Sequence, residues 1–436
     1  MTSGRWGQFG VLRVRSVRLL LSARAVSLLG NGMAPVALAF AILDMPNGSA
    51  SALGLVLTAR LLAQVVFVLF GGVLADRLPR NRVMVAADLA AGTTQAVVGL
   101  LVISGTATPL AIALLATVNG AAAALFEPAS RSVMPQLVSD DALQSANGLL
   151  QISIRGGTVI GAAVAGVLVA VIGPGETLLV DAATFMISAV LLAGIRVAAV
   201  ASSDGPQLRL IGQLREGWRE FTARRWVWTM VLQLSFVNVL LAGGFYVLGP
   251  VVAHDHLGGA PSWGAILTAQ AIGYVVGSAL ATRLRPRRPV AVAALMMSAF
   301  ALPLFFLAIP SSVVVIAIAA FLAAICIDVF EVLLDTALQR HVPEQALSRV
   351  LSYEAVGSFA LVPLGLAIAG PVASATSVRS TLLGAGALIV VTGPISLLMP
   401  SVRRVLAPPV VTGAADRDSL DAVTMSTPVA IRAEEA

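Results

Sequence analysis

The amino-acid sequence predicts an all-α membrane protein with twelve transmembrane helices, arranged as two six-helix bundles with pseudo-two-fold symmetry. Three observations predict this fold class: an apolar composition, twelve apolar runs of membrane-spanning length, and an internal repeat. The 436 residues are 58% hydrophobic and 11% charged, whereas a soluble domain carries about 25% charged residues. The chain is therefore predicted to lie in a lipid bilayer.

Apolar runs of membrane-spanning length occur twelve times along the chain. A transmembrane helix needs about 20 mainly apolar residues to cross the bilayer core. Runs of this length lie at about 17–43, 52–75, 83–104, 107–127, 146–171, 176–197, 228–250, 262–282, 290–309, 312–336, 354–374 and 380–399. We number them span 1 to span 12. The first run is longer than the core of a signal peptide, so it is predicted to be retained.

The arginine content of the connections predicts the orientation. All 28 basic residues are arginine, and the formal net charge is +6. The connections after spans 2, 4, 6, 8 and 10 carry arginines, whereas the other connections hold only Arg379. Because cytoplasmic connections are enriched in basic residues, the chain is predicted to be a multi-pass protein of the plasma membrane (the bacterial inner membrane) with both termini in the cytoplasm. We call the two sides the arginine-rich face and the arginine-poor face.

The longest connection divides the chain into two halves. The predicted units are an N-terminal six-helix bundle (1–197), a cytoplasmic linker (198–227), a C-terminal six-helix bundle (228–400) and a disordered cytoplasmic tail (401–436), the tail being rich in polar residues and proline. In the linker, an apolar helical face predicts an amphipathic helix on the membrane surface, and a simple polar linker is the alternative. The residues of that face are Leu210, Leu214, Trp218 and Phe221.

The two halves repeat each other in sequence. A shift of 204 residues places Phe126-Glu127 on Phe330-Glu331 and Gly161 on Gly365. A shift of 206 residues matches six further residues of the two halves in the same order. In the first half they are Gly71, Leu74, Ala75, Arg77, Leu78 and Arg82. In the second half they are Gly277, Leu280, Ala281, Arg283, Leu284 and Arg288. Matches in the same order indicate two six-span units in parallel orientation, related by an axis along the membrane normal.

The connection between spans 2 and 3 carries a glycine, three residues, Asp-Arg, and then two further arginines. This pattern closely resembles the loop 2-3 signature of the major facilitator superfamily of transporters. The resemblance implies the major facilitator fold, with a central cavity between the bundles. It also implies that Asp76 binds across the cytoplasmic seam near the start of span 11, where the helix dipole favours a carboxylate; a purely structural turn is the alternative. The predicted gating motif comprises Gly72, Asp76, Arg77, Arg80, Arg82 and Arg131.

Three further stretches resemble the exporter branch of this superfamily that includes the enterobactin exporter and macrolide-efflux proteins. They are residues 126–149 around the connection of spans 4 and 5, residues 181–185 in span 6, and residues 339–350 around the connection of spans 10 and 11. Span 5 also resembles the glycine-rich antiporter motif, with Ala162 in place of its proline. Its small residues let helices approach closely, which predicts that span 5 seals the two halves. The glycines are Gly148, Gly157, Gly161 and Gly166.

Charged residues at membrane depth are the candidates for proton coupling or for the substrate cavity, because such groups are unfavourable in lipid. These candidates are Arg24, Arg60, Arg155, Asp181, Asp328 and Glu331. Depth along the spans permits two pairings: Arg60 with Asp181, and Arg24 with Glu331 or Asp328. The last two are three residues apart on a span that lines the cavity in this fold, and a structural pairing with nearby arginines is the alternative for them.

Two other carboxylates receive a structural interpretation. Asp88 and Glu127 lie near the arginine-rich ends of spans 3 and 4, where they could pair with the arginines of the adjacent connections. A structural role as partners of Arg80, Arg82 or Arg131 is therefore favoured for both over a role in transport.

The resemblance implies a secondary transporter that exports an amphipathic small molecule, such as a drug, an antibiotic or a siderophore-like compound, by alternating access in exchange for protons. Its expected partners are the substrate, protons and the lipid bilayer, with no nucleic acid, and it is expected to act as a monomer. Uptake by symport or facilitated diffusion is one alternative, and a non-transporting membrane sensor or scaffold is another.

No enzymatic or metal chemistry is predicted. The three histidines are scattered, and Cys326 is the single cysteine, so neither a metal site nor a disulfide framework is expected. A phosphate-binding Gly-Lys-Ser/Thr loop does not occur in the sequence, which excludes the common form of ATP-driven transport. No catalytic residue and no cofactor are therefore expected.

Overall fold

The computed structural model describes residues 13–77, 79–138, 140–195, 218–309 and 311–406. Within these residues, twelve helices are long and apolar enough to cross a membrane, which confirms the predicted fold class. The first six spans are the helices Arg15–Leu43, Ala50–Arg77, Arg80–Ile103, Pro109–Leu137, Asp140–Ile172 and Pro174–Ala193. The second six are Arg225–His256, Ala260–Ala281, Pro289–Ala308, Val313–His341, the pair Glu344–Phe359 and Val362–Ala375, and Val378–Leu398.

Caps and a glycine set the short turns on the arginine-poor face. The hydroxyl of Thr108 accepts a hydrogen bond from the backbone N–H of Ala111 (3.3 Å) at the start of span 4, which satisfies a donor that the helix leaves unpaired. Gly173 joins spans 5 and 6 with a φ of +97°, a conformation that glycine adopts without strain. Pro174 then begins span 6, where the N–H that it lacks would have no helical acceptor.

Spans 7, 9 and 11 are interrupted, although the sequence predicts each as one continuous run. Span 9 contains a 3-10 segment at Met297–Phe300, and span 11 breaks between Phe359 and Val362. Span 7 consists of the α-helix Arg225–Leu241, the π-helical turn Ala242–Val247 and the α-helix Leu248–His256. π-turns are frequent at functional positions, and this one lies beside the cavity described below.

Large apolar side chains cover the outside of the bundle. Leu114, Val171, Val190 and Leu398 are each 64–74% exposed. Such a surface suits a bilayer, because hydrocarbon tails rather than water contact it. The spans are consequently apolar on both their inner and outer faces, so sequence periodicity does not reveal which face is which.

Two seams join the halves near the arginine-poor face. Span 5 packs on span 8, where a Cβ added at Gly264 would lie 2.9 Å from the Cα atom of Gly166. Span 2 packs on span 11, where a Cβ added at Gly370 would collide with the backbone of Ser51. Small residues therefore let the helix backbones of the two halves touch directly.

The glycines of the predicted span 5 motif serve two different contacts. Gly157 packs against Leu28 of span 1, and Gly161 packs against span 1 as well, so both act within the N-terminal half. Gly166 alone among the four faces the C-terminal half. A Cβ added at Gly148 would meet no described atom within 4 Å. Among the described contacts of these glycines, the seal between the halves thus involves only the arginine-poor end of the motif.

Much of the predicted linker and tail lies outside the described residues, namely 196–217 and 407–436. The described end of the linker is helical at Trp218 and Phe221, whose rings stack with centroids 5.8 Å apart. Both rings also contact Tyr353 of span 11, at 5.6 and 5.9 Å. The linker therefore meets the C-terminal half at the arginine-rich end of span 11.

Candidate substrate cavity

A cavity with two adjoining parts lies between the six-span halves. The first part, of about 540 Å³, carries charged and amide side chains of spans 1–5, and we call it the polar chamber. The second, of about 650 Å³, we call the aromatic chamber after the rings of Tyr246, Trp263, Tyr274, Phe300, Phe330 and Phe359. Side chains that line both parts are Asn31, Arg60, Gln64, Thr158, Ala271 and Tyr274.

An arginine and two carboxylates form the charged centre of the polar chamber. The Nη2 atom of Arg24 donates a hydrogen bond to Oε2 of Glu127 (3.2 Å), and the guanidinium lies 5.2 Å from the ring centroid of Phe126. Asp88 is 2% exposed and interacts electrostatically with Arg24. The hydroxyl of Ser188 lies beside this carboxylate and interacts with it, although the contact falls short of ordinary hydrogen-bond geometry.

This cluster replaces one predicted pairing and places two further carboxylates at the cavity. Arg24 was expected to pair with Glu331 or Asp328 of span 10, whereas its hydrogen bond goes to Glu127 of span 4. The reason is geometric, since depth along a helix does not tell which neighbouring span a side chain faces. Asp88 and Glu127 both line the cavity, and their pairing with loop arginines stays a prediction.

A second polar network lies deeper in the N-terminal half. Nε of Arg60 donates to Oδ1 of Asn119 (3.0 Å), and Nε2 of Gln95 donates to Oδ2 of Asp181 (2.7 Å). Arg60 and Asp181 interact electrostatically, but the predicted direct pairing is replaced by their separate hydrogen bonds to Asn119 and Gln95. The four side chains share a small pocket of about 50 Å³. Asp181 is fully buried and lines this pocket, not the two large chambers.

The aromatic chamber is shaped by the π-helical turn of span 7. This turn places Tyr246 on the chamber wall, where its hydroxyl interacts with Tyr274 and Gln270 of span 8. Phe330 and Trp263 also line the chamber and are each 1% exposed. The chamber thus combines broad apolar faces with a few hydrogen-bonding groups, which is typical of small-molecule sites.

Three carboxylates line the aromatic chamber on spans 10 and 11: Glu331, Asp335 and Glu354. Glu354 accepts a hydrogen bond from the hydroxyl of Ser358 (3.0 Å). Asp335 lies one helical turn from Glu331 and interacts electrostatically with Glu354. This chamber therefore has an acidic side as well as an apolar one.

Asp328 does not share the position of Glu331, although the sequence predicts that both line the cavity. Asp328 is 3% exposed, accepts a hydrogen bond from Ser278 of span 8 and packs against Gly277. A three-residue separation turns about 60° around a helix of 3.6 residues per turn. That rotation directs Asp328 at the neighbouring helix and leaves Glu331 at the cavity.

Several predicted site residues have side chains outside the described set. The backbone of span 2 is helical through Gly72 and Asp76 to Arg77, but the side chains of this segment, with those of Arg131 and Arg155, are not among the described ones. Arg80 begins span 3 and is half-buried, and Arg82 is exposed. The gating role of this motif stays a prediction.

The sequence contains a signal that could have identified Glu127. Glu127 and Glu331 are related by the internal repeat, and each follows a phenylalanine that lines the same chamber. Gln64 and Gln270 are related by the repeat in the same way and also line the cavity. Asn31, Asn119 and Tyr246 carry no such signal, because a single polar residue in an apolar run does not disclose its face.

Comparison with protein families decides what kind of protein has this cavity. Residues 6–409 match MFS_3, the transmembrane secretion effector family. The chain belongs to this family. This secretion effector is thus a transporter of the major facilitator superfamily and not an enzyme.

Similar proteins cover nearly the whole transporter. The multidrug efflux pump Tap of Mycolicibacterium fortuitum is 26% identical over 404 residues, 88% of this chain and 96% of the pump. The enterobactin exporter EntS of Escherichia coli O1:K1 / APEC is 30% identical over 392 residues, 85% of this chain and 90% of the exporter.

Solved structures of transporters share the fold at low sequence identity. The nucleoside transporter NupG superimposes with a TM-score of 0.71 at 14% identity, covering 88% of this chain and 98% of NupG. A bacterial homologue of the human lysosomal transporter Spinster gives a TM-score of 0.67 at 15% identity, covering 91% of this chain and 99% of that chain. The predicted major facilitator fold is confirmed.

Proposed function

We propose that this transporter exports an amphipathic small molecule by alternating access, in exchange for protons. The observation that carries the proposal is the central cavity, in which an aromatic chamber adjoins a polar chamber with ionisable groups at membrane depth. In this proposal the chain acts as a monomer in the bacterial inner membrane. Both termini are cytoplasmic, and the substrate leaves at the arginine-poor face.

The aromatic chamber is proposed to hold the apolar part of the substrate. Its volume of about 650 Å³ suits a drug-sized molecule, since ligand pockets commonly measure about 300–1,000 Å³. Tyr246, Gln270 and Tyr274 would bond its polar groups. The names of two relatives support this substrate class, because one is a multidrug efflux pump and the other exports enterobactin.

The seams of small residues support alternating access. Spans 5 and 8, and spans 2 and 11, touch backbone to backbone near the arginine-poor face. Contacts between backbones can separate and reform as rigid bodies, because few long side chains must unlock. The motif around Asp76 is proposed to make the corresponding lock at the arginine-rich face.

The proposed proton site is the cluster of Arg24, Asp88 and Glu127. An ionised carboxylate is unfavourable away from water, and Asp88 is 2% exposed, with the hydroxyl of Ser188 beside it. A bound proton would remove the charge and could be shared with Ser188. Because an arginine contact favours the ionised form of a carboxylate, movement of Arg24 between Glu127 and Asp88 would move the proton.

The sequence-based candidates receive separate proposed roles. Glu331 lines the aromatic chamber and stays a candidate for proton or substrate binding. Asp328 is bonded to Ser278 and is proposed to fix span 10 on span 8. The network of Arg60 and Asp181 is proposed to orient the side chains at the junction of the two chambers.

An accumulation assay tests the proposal. The full chain is expressed in an efflux-deficient bacterium that is loaded with a panel of fluorescent compounds and antibiotics, with and without a protonophore. Wild type should lower accumulation, and both the protonophore and Asp88→Asn should abolish this effect. The matched control is Glu176→Gln, an exposed carboxylate outside the cavity, which should behave as wild type.

The assay also separates the alternatives. Higher accumulation in cells with the wild-type chain would overturn export and support uptake. Lower accumulation that survives both the protonophore and Asp88→Asn would keep export and refute the proton site. Unchanged accumulation across the panel would favour a non-transporting sensor or scaffold.

A further inference from the structure

A histidine bridges the two halves at the arginine-poor face. His254 lies in the last turn of span 7, and Asp44 follows the last residue of span 1. Nε2 of His254 lies 3.2 Å from Oδ1 of Asp44, and Nδ1 lies 2.7 Å from Oδ1 of Asp255. Asp44 belongs to the N-terminal half, whereas Asp255 belongs to the same half as the histidine. The sequence predicts His254 in a loop, because the apolar run of span 7 ends at about residue 250.

The arrangement of the ring nitrogens favours a protonated imidazole. A neutral imidazole has one N–H donor, and its other nitrogen is an acceptor. An ionised carboxylate also only accepts, so a neutral ring can bond one of the two aspartates and must turn a lone pair towards the other. The imidazolium form donates from both nitrogens and satisfies Asp44 and Asp255 together.

The surroundings of His254 also favour the protonated imidazole. The last turns of spans 1 and 7 both end here, and a positive charge is favoured at helix C-termini. Phe40 of span 1 lies beside the imidazole, with ring centroids 6.2 Å apart. It also packs against the turn that follows span 7, where a Cβ on Gly259 would lie 3.9 Å from its ring. The imidazole is thus held between the two halves.

The other ionisable groups near this site are few. Spans 1, 8, 9 and 12 pack against the helix Leu248–His256. In the described residues, their ionisable side chains at this face are Asp44 and Arg379, and the helix itself adds Asp255 and His256. Asp44 and Asp255 are the groups that act on His254.

We propose that a proton bound to His254 latches the seal between the halves at the arginine-poor face. Opening this face separates Asp44 from His254, whereas Asp255 moves with the histidine. The imidazolium then loses one of its two acceptors, so the closed form holds the proton more tightly than the open form. By linkage, protons on this side of the membrane favour closure. The latch does not depend on the direction of transport or on the substrate.

The test measures closure directly, in the full-length chain in lipid nanodiscs. Cys326→Ser removes the single native cysteine, and spin labels are placed at Asn47→Cys and Ala375→Cys, exposed positions of opposite halves at the arginine-poor face. Pulsed electron paramagnetic resonance then gives the distance distribution between about pH 5 and pH 8, the range over which an imidazole titrates. The short-distance population should grow as the pH falls.

Variants separate the latch from other titrating groups. His254→Gln should remove the pH dependence and lower the closed-to-open ratio at low pH by up to about five-fold, the effect of a partly exposed ion pair. Asp44→Asn should do the same. Asp255→Asn should keep a pH dependence, because Asp44 remains to bond the protonated ring.

His256→Gln is the matched control, since His256 lies two residues further on the same helix and is exposed. It should titrate like the parent protein, and each variant must elute as a single folded species before measurement. The proposal is overturned when His254→Gln closes with the same pH dependence as the parent, or when His256→Gln loses that dependence equally.

Discussion

The polar and aromatic chambers arise from repeat-related helices and yet differ in chemistry. Phe126-Glu127 of span 4 lines the polar chamber, and the related Phe330-Glu331 of span 10 lines the aromatic chamber. In the first, Arg24 bonds the glutamate and Asp88 lies nearby. In the second, the glutamate shares the chamber with aromatic rings and with the carboxylates of Asp335 and Glu354.

The two halves pack their helices in the same way around the chambers, although the side chains that line the two chambers differ. Gly161 packs against the backbone of span 1, and the repeat-related Gly365 packs against the backbone of span 7. Close backbone contact tolerates almost no change of side-chain volume, whereas a cavity wall does. The comparison teaches that the repeat preserves the scaffold and leaves the two walls free to take different roles.

The largest expected effect concerns the shared scaffold. Added Cβ atoms would collide with the carbonyl of Leu29 at Gly161 and with that of Val239 at Gly365. Gly161→Val and Gly365→Val should therefore each destabilise the protein by about 1–3 kcal/mol or more, measured by thermal unfolding in detergent. Gly148→Ala, which adds a Cβ in open space, is the control. A marked difference in stability between the two valine variants would contradict an equivalent packing role of the two glycines.

The next effect tests the charged centre of the polar chamber. Arg24→Ala removes the hydrogen bond to Glu127 and should lower the free energy of unfolding by about 1.5–3 kcal/mol, the range for a hydrogen bond to a charged group. The double variant with Glu127→Gln should recover part of this loss, because it also removes the negative charge that Arg24 balances. Arg18→Ala, exposed on the same helix, is the control. Equal effects of both arginine variants would refute the pairing.

The third prediction sharpens the functional difference between the repeat-related glutamates, and it depends on the proposed export. Glu127→Gln should flatten the pH dependence of transport and reduce its rate about ten-fold, since a charged hydrogen bond is lost. Glu331→Gln should instead alter which compounds are exported, because it changes the chamber proposed to hold the substrate. Transport rates in proteoliposomes at several pH values measure both. Identical pH profiles and substrate ranges of the two variants would show that the two glutamates do not differ in function.

The smallest effect concerns the hydrogen-bonding groups of the aromatic chamber. Tyr246→Phe removes a hydroxyl that interacts with Tyr274 and Gln270. The loss of one neutral hydrogen bond, about 0.5–1.5 kcal/mol, should raise the apparent KM by up to about ten-fold without reducing the amount of folded protein. Tyr353→Phe, which acts on a ring outside the cavity, should leave the KM unchanged. A KM insensitive to Tyr246→Phe would exclude this hydroxyl from substrate binding.

The sequence by itself determined that this is a membrane protein with twelve spans and which superfamily it resembles. Those conclusions depend on composition, run length and local motifs, which are properties of consecutive residues. It also set most helix ends within a few residues. It missed the last turns of span 7, because His254, Asp255 and His256 look like loop residues when read without the helix that contains them.

Only the tertiary structure decided which polar side chains meet. Helices that are apolar towards both lipid and protein lack the periodicity that would reveal a face. The sequence therefore indicates how deep a charged residue lies in the membrane, but not which neighbouring helix its side chain faces. The side chain of Asp328 faces Ser278, whereas that of Glu331 faces the cavity. The packing of the spans likewise brings Arg24 to Glu127 and Asp44 to His254. Such pairs join residues far apart in the chain, and only the packing of the spans brings them together.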